Sequence, residues 1–319
     1  MQIVDLRQIA SRQLAPLFEE EQLRWIEELH WDYRPSLQLI RKFIDAKSLA
    51  GRAALEDGAP VGYGFYVLDE TKGLIGGLYV SPKFDHLRAG ERLLREILEE
   101  MRAMPRLQRI EAQIIPFGAT LDRALEIEAF RLYTRQFMLL PLKDARLSGA
   151  PVPLGLRLEC WDDRYFEPCA RLIRQAYAGH VDSEINDQYR DDAGALKFLK
   201  NIIILPGCGQ FKPEASFLVR PEGSDSLAAA VLTSTVSAGV GHITQLCVTP
   251  AFQGQHLGLR LMDAAIQALK SLRYHALSLT VTSLNAPAVR LYEKLGFHTV
   301  KKFAAAVWQS EEKEFARQV

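Results

Sequence analysis

Polar and apolar side chains alternate in two rhythms along the later part of the chain. His242 to Val248 and His275 to Ser283 change side with the two-residue period of a strand. In the second run Leu277, Leu279 and Val281 fall on one side and Ser278, Thr280 and Thr282 on the other. Between these runs Leu257, Leu261, Met262, Ala265, Ile266, Leu269 and Leu272 recur three and four apart, the apolar stripe of a helix, with Arg260, Asp263, Gln267 and Lys270 on the opposite face. Pro250 ends the first strand because proline has no N–H to give to a ladder. Asn285 is placed to cap a further helix and Gly296 to stop it. A last strand is predicted from Val300 to Trp308.

The earlier part predicts a similar series. Residues 1–7 alternate like a short strand, Ile9 to Leu29 reads as an acidic helix, and Pro35 to Asp45 reads as a second helix with Leu37, Ile40, Phe43 and Ile44 on one face. Arg52–Leu55, Val61–Leu68 and Leu74–Val80 read as strands joined by turns at Asp57-Gly58 and Lys72-Gly73. A helix from Gly90 to Met104, a strand from Arg109 to Ile115, a helix from Thr120 to Phe130 and a strand from Tyr133 to Leu142 follow. Residues 143–154 hold two prolines and a glycine without periodicity and read as a linker. The order then begins again. Leu156–Trp161 is a strand, Arg164–Ala178 a helix with Phe166, Ala170, Leu172, Ile173 and Tyr177 inward, and Ala193–Ile204 a helix. Ala215–Arg220, Ser226–Val236 and Gly241–Val248 are strands.

The repetition is in register. Val80-x-Pro82 matches Val248-x-Pro250 at an offset of 168 (248 − 80), which sets Gly90 on Gly258. Phe130 matches Phe297 at an offset of 167 (297 − 130). A repeat of roughly 150 residues is too long for a solenoid unit and implies a duplicated domain. The expected division is 1–146 and 147–319.

Composition narrows the function classes. Of the 319 residues, 48% are hydrophobic and 24% charged, the balance of a globular protein. Lys plus Arg and Asp plus Glu are both 39, so no bulk charge points to nucleic acid or an anionic membrane. Cys160, Cys169, Cys208 and Cys247 form no Cys-x-x-Cys pair, so the reading is reduced thiols in a cytoplasmic protein, with neither a disulfide framework nor a metal site. MQIVDLRQIA has no basic stretch followed by an apolar run, so no signal peptide is evident. The apolar stretch 226–243 is interrupted by Ser, Thr and Gly and is expected to split into strands rather than span a membrane.

A strand, a loop containing Gly254 and Gly258, and a helix start together make an anion site, because the first amides of a helix lack intrahelical acceptors and carry the positive end of its dipole. Many α/β proteins also place a glycine there only to make the turn. The block Val248-x-Pro250-x-x-Gln253-Gly254-x-x-x-Gly258, followed by Asn285 and then Leu291-Tyr292-x-x-x-Gly296-Phe297, resembles the GNAT superfamily of acetyl-CoA-dependent N-acyltransferases. The resemblance covers the later half. It departs from the family loop at His256, where the family carries a glycine; a side chain there narrows the backbone choices and crowds the phosphate side, or swings out to contact a phosphate oxygen.

The resemblance implies an α/β (α+β mixed) fold of two fused domains, each a mixed, mainly antiparallel twisted sheet flanked by helices. It implies an N-acetyltransferase in which a primary amine of a small molecule or peptide attacks acetyl-CoA directly in a ternary complex, by a monomer or homodimer. The donor's pantetheine arm would lie along Leu246, Cys247 and Val248, and its pyrophosphate on the loop and helix start of Gln253, Gly254, Gln255, His256, Leu257, Gly258 and Leu259, with Asn285, Ala288 and Tyr292 completing the contacts. Tyr292 would protonate the leaving thiolate. His242 occupies the register of a catalytic Glu in histone-type members and is the candidate base, with a water chain as the alternative. Two-residue periodicity puts His242, Thr244, Leu246 and Val248 on one face and turns Cys247 away from it. His180, Asp182, Glu184 and Asp187 either line the acceptor pocket or form a solvated loop.

The halves differ where the chemistry would be. Asp85 stands for Gln253, Arg88 for His256, Gly118 for Asn285, Leu125 for Tyr292 and Leu74 for His242. The earlier half is therefore expected to be non-catalytic. Tandem members such as mycothiol synthases are similar in length and in having one active half, though no residue here selects that substrate. The rival reading is a non-catalytic acyl-CoA-binding or scaffolding protein.

Overall fold

A computed structural model describes residues 1–115, 120–149 and 151–310. In chain order the elements are β1 (Gln2–Asp5), α1 (Ala15–Leu29), α2 (Arg34–Asp45), β2 (Ala50–Glu56), β3 (Ala59–Asp69), β4 (Lys72–Val80), α3 (Ala89–Arg102), β5 (Arg109–Gln113), α4 (Asp122–Ile127) and β6 (Arg131–Pro141). They continue as β7 (Leu156–Cys160), α5 (Phe166–Tyr177), α6 (Asp182–Ile185), α7 (Asp192–Ile204), β8 (Gln210–Phe211), β9 (Phe217–Pro221), β10 (Ala229–Ser237), β11 (Val240–Val248), α8 (Leu257–Ser271), β12 (Ala276–Thr282), α9 (Ala286–Leu295) and β13 (His298–Gln309). The fold is mixed α/β, as the hydrophobic periods predict.

Two compact units result, Met1–Arg135 with Lys302–Val319, and Gln136–Lys301. These bounds differ from 1–146 and 147–319 because the cuts fall inside β6 and β13. Ala305–Gln309, the end of the later half, pairs antiparallel with β5 and so belongs to the first unit. The end of β6 belongs to the second, beside β12.

In the first unit the strand order is β1-β2-β3-β4-β5-β13, antiparallel except for β4 with β5. Leu93, Leu94, Ile97, Leu98 and Met101 of α3 bury against one core, and Phe18, Leu37, Ile40 and Ile44 of α1 and α2 against another. In the second unit the order is β6-β12-β11-β10-β9-β7, with β8 on β10, and β11 runs parallel to β12. Leu261, Met262, Ala265, Ile266 and Leu269 of α8 cover one face of this sheet. Cys169, Leu172 and Ile173 of α5 with Leu199 of α7 belong to the core on the other.

The turn expected at Lys72-Gly73 lies two residues earlier, at Glu70 and Thr71, with Glu70 at φ +54°. Lys72 already pairs with Asp69 in the ladder. Gly73 serves room rather than turning, since a Cβ there would stand 2.1 Å from Met101 Cε. Asp57 and Gly58 do form their hairpin turn, both at positive φ. The short elements α6 and β8 were not legible, because a four-residue helix and a two-residue strand carry no period.

Candidate active site

The site begins where two parallel strands part. β11 and β12 pair from Val240↔Ala276 to Ile243↔Leu279 and no further. On its other side β11 stays paired with β10 to its end, Leu246 with Val231, Cys247 with Ala230 and Val248 with Ala229. Leu246 to Val248 are thus outside the β11–β12 pairing, in the gap beyond its last pair. The phenol of Tyr177, at the end of α5, donates to the Leu246 carbonyl at 3.5 Å.

A bulge sits at the same place. Leu232 pairs with Gln245 and Thr233 with Ile243, so Thr244 is the extra residue. The bulge breaks the two-residue period and corrects the face assignment. Leu246 and Val248 pack with the α8-side core, as Ile243 does, whereas Cys247 joins the α5–α7 core. His242 bonds through Nδ1 to Ser278 Oγ at 2.9 Å, on the β12 face opposite Leu277 and Leu279. His242 therefore shares its face with Cys247, not with Leu246 and Val248.

Ser278 Oγ lies 3.2 Å from the Gly241 carbonyl as well as 2.9 Å from His242 Nδ1, so one hydroxyl ties the imidazole to the β11 backbone. The imidazole is 7% exposed and lies against Phe137 of β6, with ring centroids 5.8 Å apart and planes 24° apart. Phe137 escaped the sequence reading because it precedes the linker. Burial pushes the Cys247 thiol up to about 12. On the same strands Gln245 Nε2 and Ser234 Oγ are buried donors without a hydrogen-bond partner among the described residues.

After β11 the chain makes a short 3-10 turn at Pro250–Phe252 and enters the exposed loop Gln253–His256. Gly254 takes φ +78° in open space, with nothing within 4 Å of where a Cβ would stand, so it is there for its backbone angle. His256 takes φ +59° at the N-cap of α8, the left-handed conformation a glycine would hold more easily, at a cost of about 1–2 kcal/mol. Its side chain is exposed, and no side chain caps α8. Leu257 and Leu259 anchor the first turn in the core. Gly258 sits close to β11 and α9, where a Cβ would meet Leu291 Cδ1 at 3.4 Å. Arg260 Nε, also in this turn, is a buried donor without a partner among the described residues.

At the far side of the gap Asn285 caps α9, its Oδ1 accepting from the Ala288 amide at 3.3 Å. Gly296, at φ +104°, ends the helix. Tyr292 is 7% exposed, with Phe297 edge-on to its ring at 5.8 Å. The half-buried Tyr177, which periodicity marks only as inward, feels Tyr292. Burial first, then Tyr189, Asp182, Cys247 and Tyr292, raise its phenol well above the usual value. Asp182 is drawn to β12 by a hydrogen bond from Thr282 Oγ1, and its amide donates to His180 Nδ1 at 3.1 Å. Asp182 is thus fastened to β12, and Glu184 lines a neighbouring cleft.

The family model described as "Acetyltransferase (GNAT) family" matches residues 8–119 and 175–297, well over half of the chain. The chain belongs to the GNAT family. Each half of the tandem carries one match. A "Mycothiol acetyltransferase" from Beutenbergia cavernae is 31% identical over 159 residues, 49% of this chain and 50% of that protein. One of the same name from Thermomonospora curvata is 28% identical over 256 residues, 78% of this chain and 80% of that protein. The chain thus spans half the length of the first relative. A solved "Tandem GNAT protein from the clavulanic acid biosynthesis pathway" superposes with a TM-score of 0.62 at 14% identity, over 97% of this chain and 98% of that one. At that identity it speaks for the fold alone.

In the first half of this tandem GNAT chain, Leu125 and Leu74 stand where Tyr292 and His242 do, Leu125 buried and Leu74 exposed. Gly118, the counterpart of Asn285, lies outside the described residues. Arg88 repeats the left-handed N-cap of His256, at φ +52°. No helix among the described residues is long and apolar enough to cross a membrane, and no group of three or more His, Cys, Asp or Glu among them is placed to hold a metal ion.

Proposed function

We propose that the chain transfers an acetyl group from acetyl-CoA to the primary amine of a small molecule or peptide, with residues 147–319 supplying the chemistry and residues 1–146 non-catalytic. One observation carries this reading: the stretch Leu246–Val248 lies beyond the β11–β12 pairing and leads directly into a helix start that no side chain caps. The backbone of Leu246, Cys247 and Val248 would hold the donor's pantetheine amides as an added strand would. The amides of Gln255 to Leu259, with the dipole of the 15-residue α8, would hold its pyrophosphate. Asn285 and Ala288 would border the arm. The family and its acetyltransferase relatives support acetyl transfer at this level.

A lysine-like amine of pKa ~10.4 must lose a proton, which costs roughly 4–5 kcal/mol at neutral pH. The His242 imidazole is the group we assign to accept it, directly or through a water chain. The amine nitrogen then attacks the thioester carbonyl, and the thiolate leaves. The Tyr292 phenol delivers a proton to that sulfur. The Cys247 thiol, held protonated by burial, takes no covalent part, which favours direct attack. The reading is tested by incubating the chain with acetyl-CoA and a library of primary amines while following released thiol. Turnover with at least one amine is expected. Binding of acetyl-CoA without turnover on any amine would overturn the assignment in favour of a binding protein.

A further inference from the structure

A cleft of about 740 Å³, within the size range of small-molecule pockets, opens beside the end of β11. Its lining includes the Thr249–Phe252 turn on one side and Tyr177, Glu184, Tyr189 and Arg190 on another, with Arg174 reaching in from α5. Tyr177 belongs to both places. Its ring lines the cleft, stacked on Tyr189 at 4.4 Å and 20°, while its hydroxyl bonds the Leu246 carbonyl in the gap assigned to the donor. A ligand in the cleft therefore lies one tyrosine away from the strand that would carry the thioester arm.

The charges of the lining are specific. Arg190 is oriented by its Nε bond to the Ser183 carbonyl at 2.8 Å and stands 3.4 Å from Glu184. Arg174 meets Asp192 at 3.5 Å, with side chains 48% and 68% exposed. Exposed pairs of this kind contribute little, so a ligand anion meeting Arg174 from within the cleft displaces Asp192 at small cost. A guanidinium offers its N–H groups to two oxygens of a carboxylate or phosphate at once. The stacked tyrosines supply a flat apolar wall.

Resting on the acetyltransferase reading, we infer that this cleft takes the acceptor, and that the acceptor is a small amine bearing a carboxylate or phosphate group. Arg174 and Arg190 hold the anion, the Tyr177–Tyr189 stack supports the connecting atoms, and the amine is directed past Tyr177 toward Leu246. Arg174 and Arg190 are specificity-determining residues in this account, and Tyr177 separates the acceptor from the donor.

The test pairs amines that differ only in the anion: β-alanine with propylamine, and phosphoethanolamine with ethanolamine, each with acetyl-CoA and thiol-release detection. The anionic member of at least one pair is expected to show a kcat/KM about tenfold or more above its neutral partner. Arg174→Gln, on an exposed helix face, is expected to raise KM for the anionic amine about tenfold, leaving KM for the neutral amine and the calorimetric affinity for acetyl-CoA unchanged. Equal use of charged and neutral partners by the parent chain overturns the inference. A loss of acetyl-CoA affinity in Arg174→Gln also overturns it and assigns the cleft to the donor's phosphates. If no amine is turned over, the transferase reading falls separately, and calorimetry with β-alanine and phosphoethanolamine decides the cleft. Binding weakened by Arg174→Gln upholds an anionic-amine site, and no binding removes it.

Discussion

The strand before the gap carries its bulge at the same position in both units, Gly76 in β4 and Thr244 in β11, an offset of 168 (244 − 76). The parallel pairing before the bulge has the same length in each, Lys72–Ile75 with Arg109–Ala112 and Val240–Ile243 with Ala276–Leu279. Both helices after the loop start from a left-handed, non-glycine N-cap. What differs is volume and polarity around the strand. In the first unit Phe65 lies against Gly76 and Gly77, where Cβ atoms would come within 2.3 and 2.7 Å of its ring. Tyr79 and Tyr63 are fully buried, giving hydrogen bonds to Glu20 at 2.9 Å and Glu21 at 2.5 Å. By pairing position Phe65 corresponds to Leu232 (232 − 65 = 167), Gly77 to Gln245, Tyr79 to Cys247 (247 − 79 = 168) and Tyr63 to Ala230. The second unit has smaller side chains at three of these places. On the reading proposed above, in which the first unit is non-catalytic, aromatic rings and their carboxylate partners packed over the strand would close a duplicated site without altering its backbone.

The largest expected effect separates the units by their chemistry. Tyr292→Phe is expected to lower kcat roughly 10³-fold with the acetyl-CoA dissociation constant unchanged, whereas Leu125→Phe leaves kcat alone. Steady-state kinetics beside calorimetry checks this, and equal turnover by Tyr292→Phe and parent removes Tyr292 from the mechanism. Next comes the polar filling of the first unit. Burial pushes the Glu21 carboxyl from 4.5 up to about 7, against the opposing hydrogen bonds from Tyr63 and Trp25 and the nearby Arg24. Because the folded value is the higher one, the stabilisation is complete below the unfolded value near 4.5 and is lost as pH rises through about 7, by about 3 kcal/mol in all. Glu21→Gln should therefore flatten the fall in melting temperature between pH 5 and 8, and an unchanged slope would mean that Glu21 does not titrate there.

A smaller effect tests the loop. Gln253→Asp copies Asp85 of the first half, and on so exposed a side chain it is expected to weaken acetyl-CoA binding about fivefold to tenfold in low salt and much less in high salt. Titrations at two ionic strengths measure it, and a salt-independent loss would point to a changed loop conformation instead. The smallest expected effect is structural: Asn285→Ala removes the cap on α9 and should cost about 1 kcal/mol in denaturant unfolding.

Much of this was legible in the chain itself. The repeat in register, the strand–loop–helix around Gly254 and the cap and stop of α9 at Asn285 and Gly296 depend on local residue chemistry, so periodicity and turn residues reveal them. The face of His242 was misread because a bulge inserts one residue and reverses the alternation beyond it. Thr244 has no feature that announces this, whereas Gly76 in the first unit has one. Phe137 could not be found, because β6 divides between the units and nothing in a linker-like stretch such as 143–154 says which sheet a preceding strand will join. Tyr177 was seen as inward-facing but not as a partner of Leu246, since that contact joins residues 69 apart. Arg174 and Arg190 come together only through the folding of the α5–α7 connection, for which the sequence offers no period.

Amide hydrogen exchange with and without acetyl-CoA tests the central claim, that the later half alone receives the donor. Slowed exchange at Leu246–Val248 and Gln255–Leu259, with the counterparts Leu78–Val80 and Leu87–Glu91 unchanged, is the predicted result. Slowed exchange confined to Leu78–Val80 and Leu87–Glu91, or equal in the two sets, would contradict it.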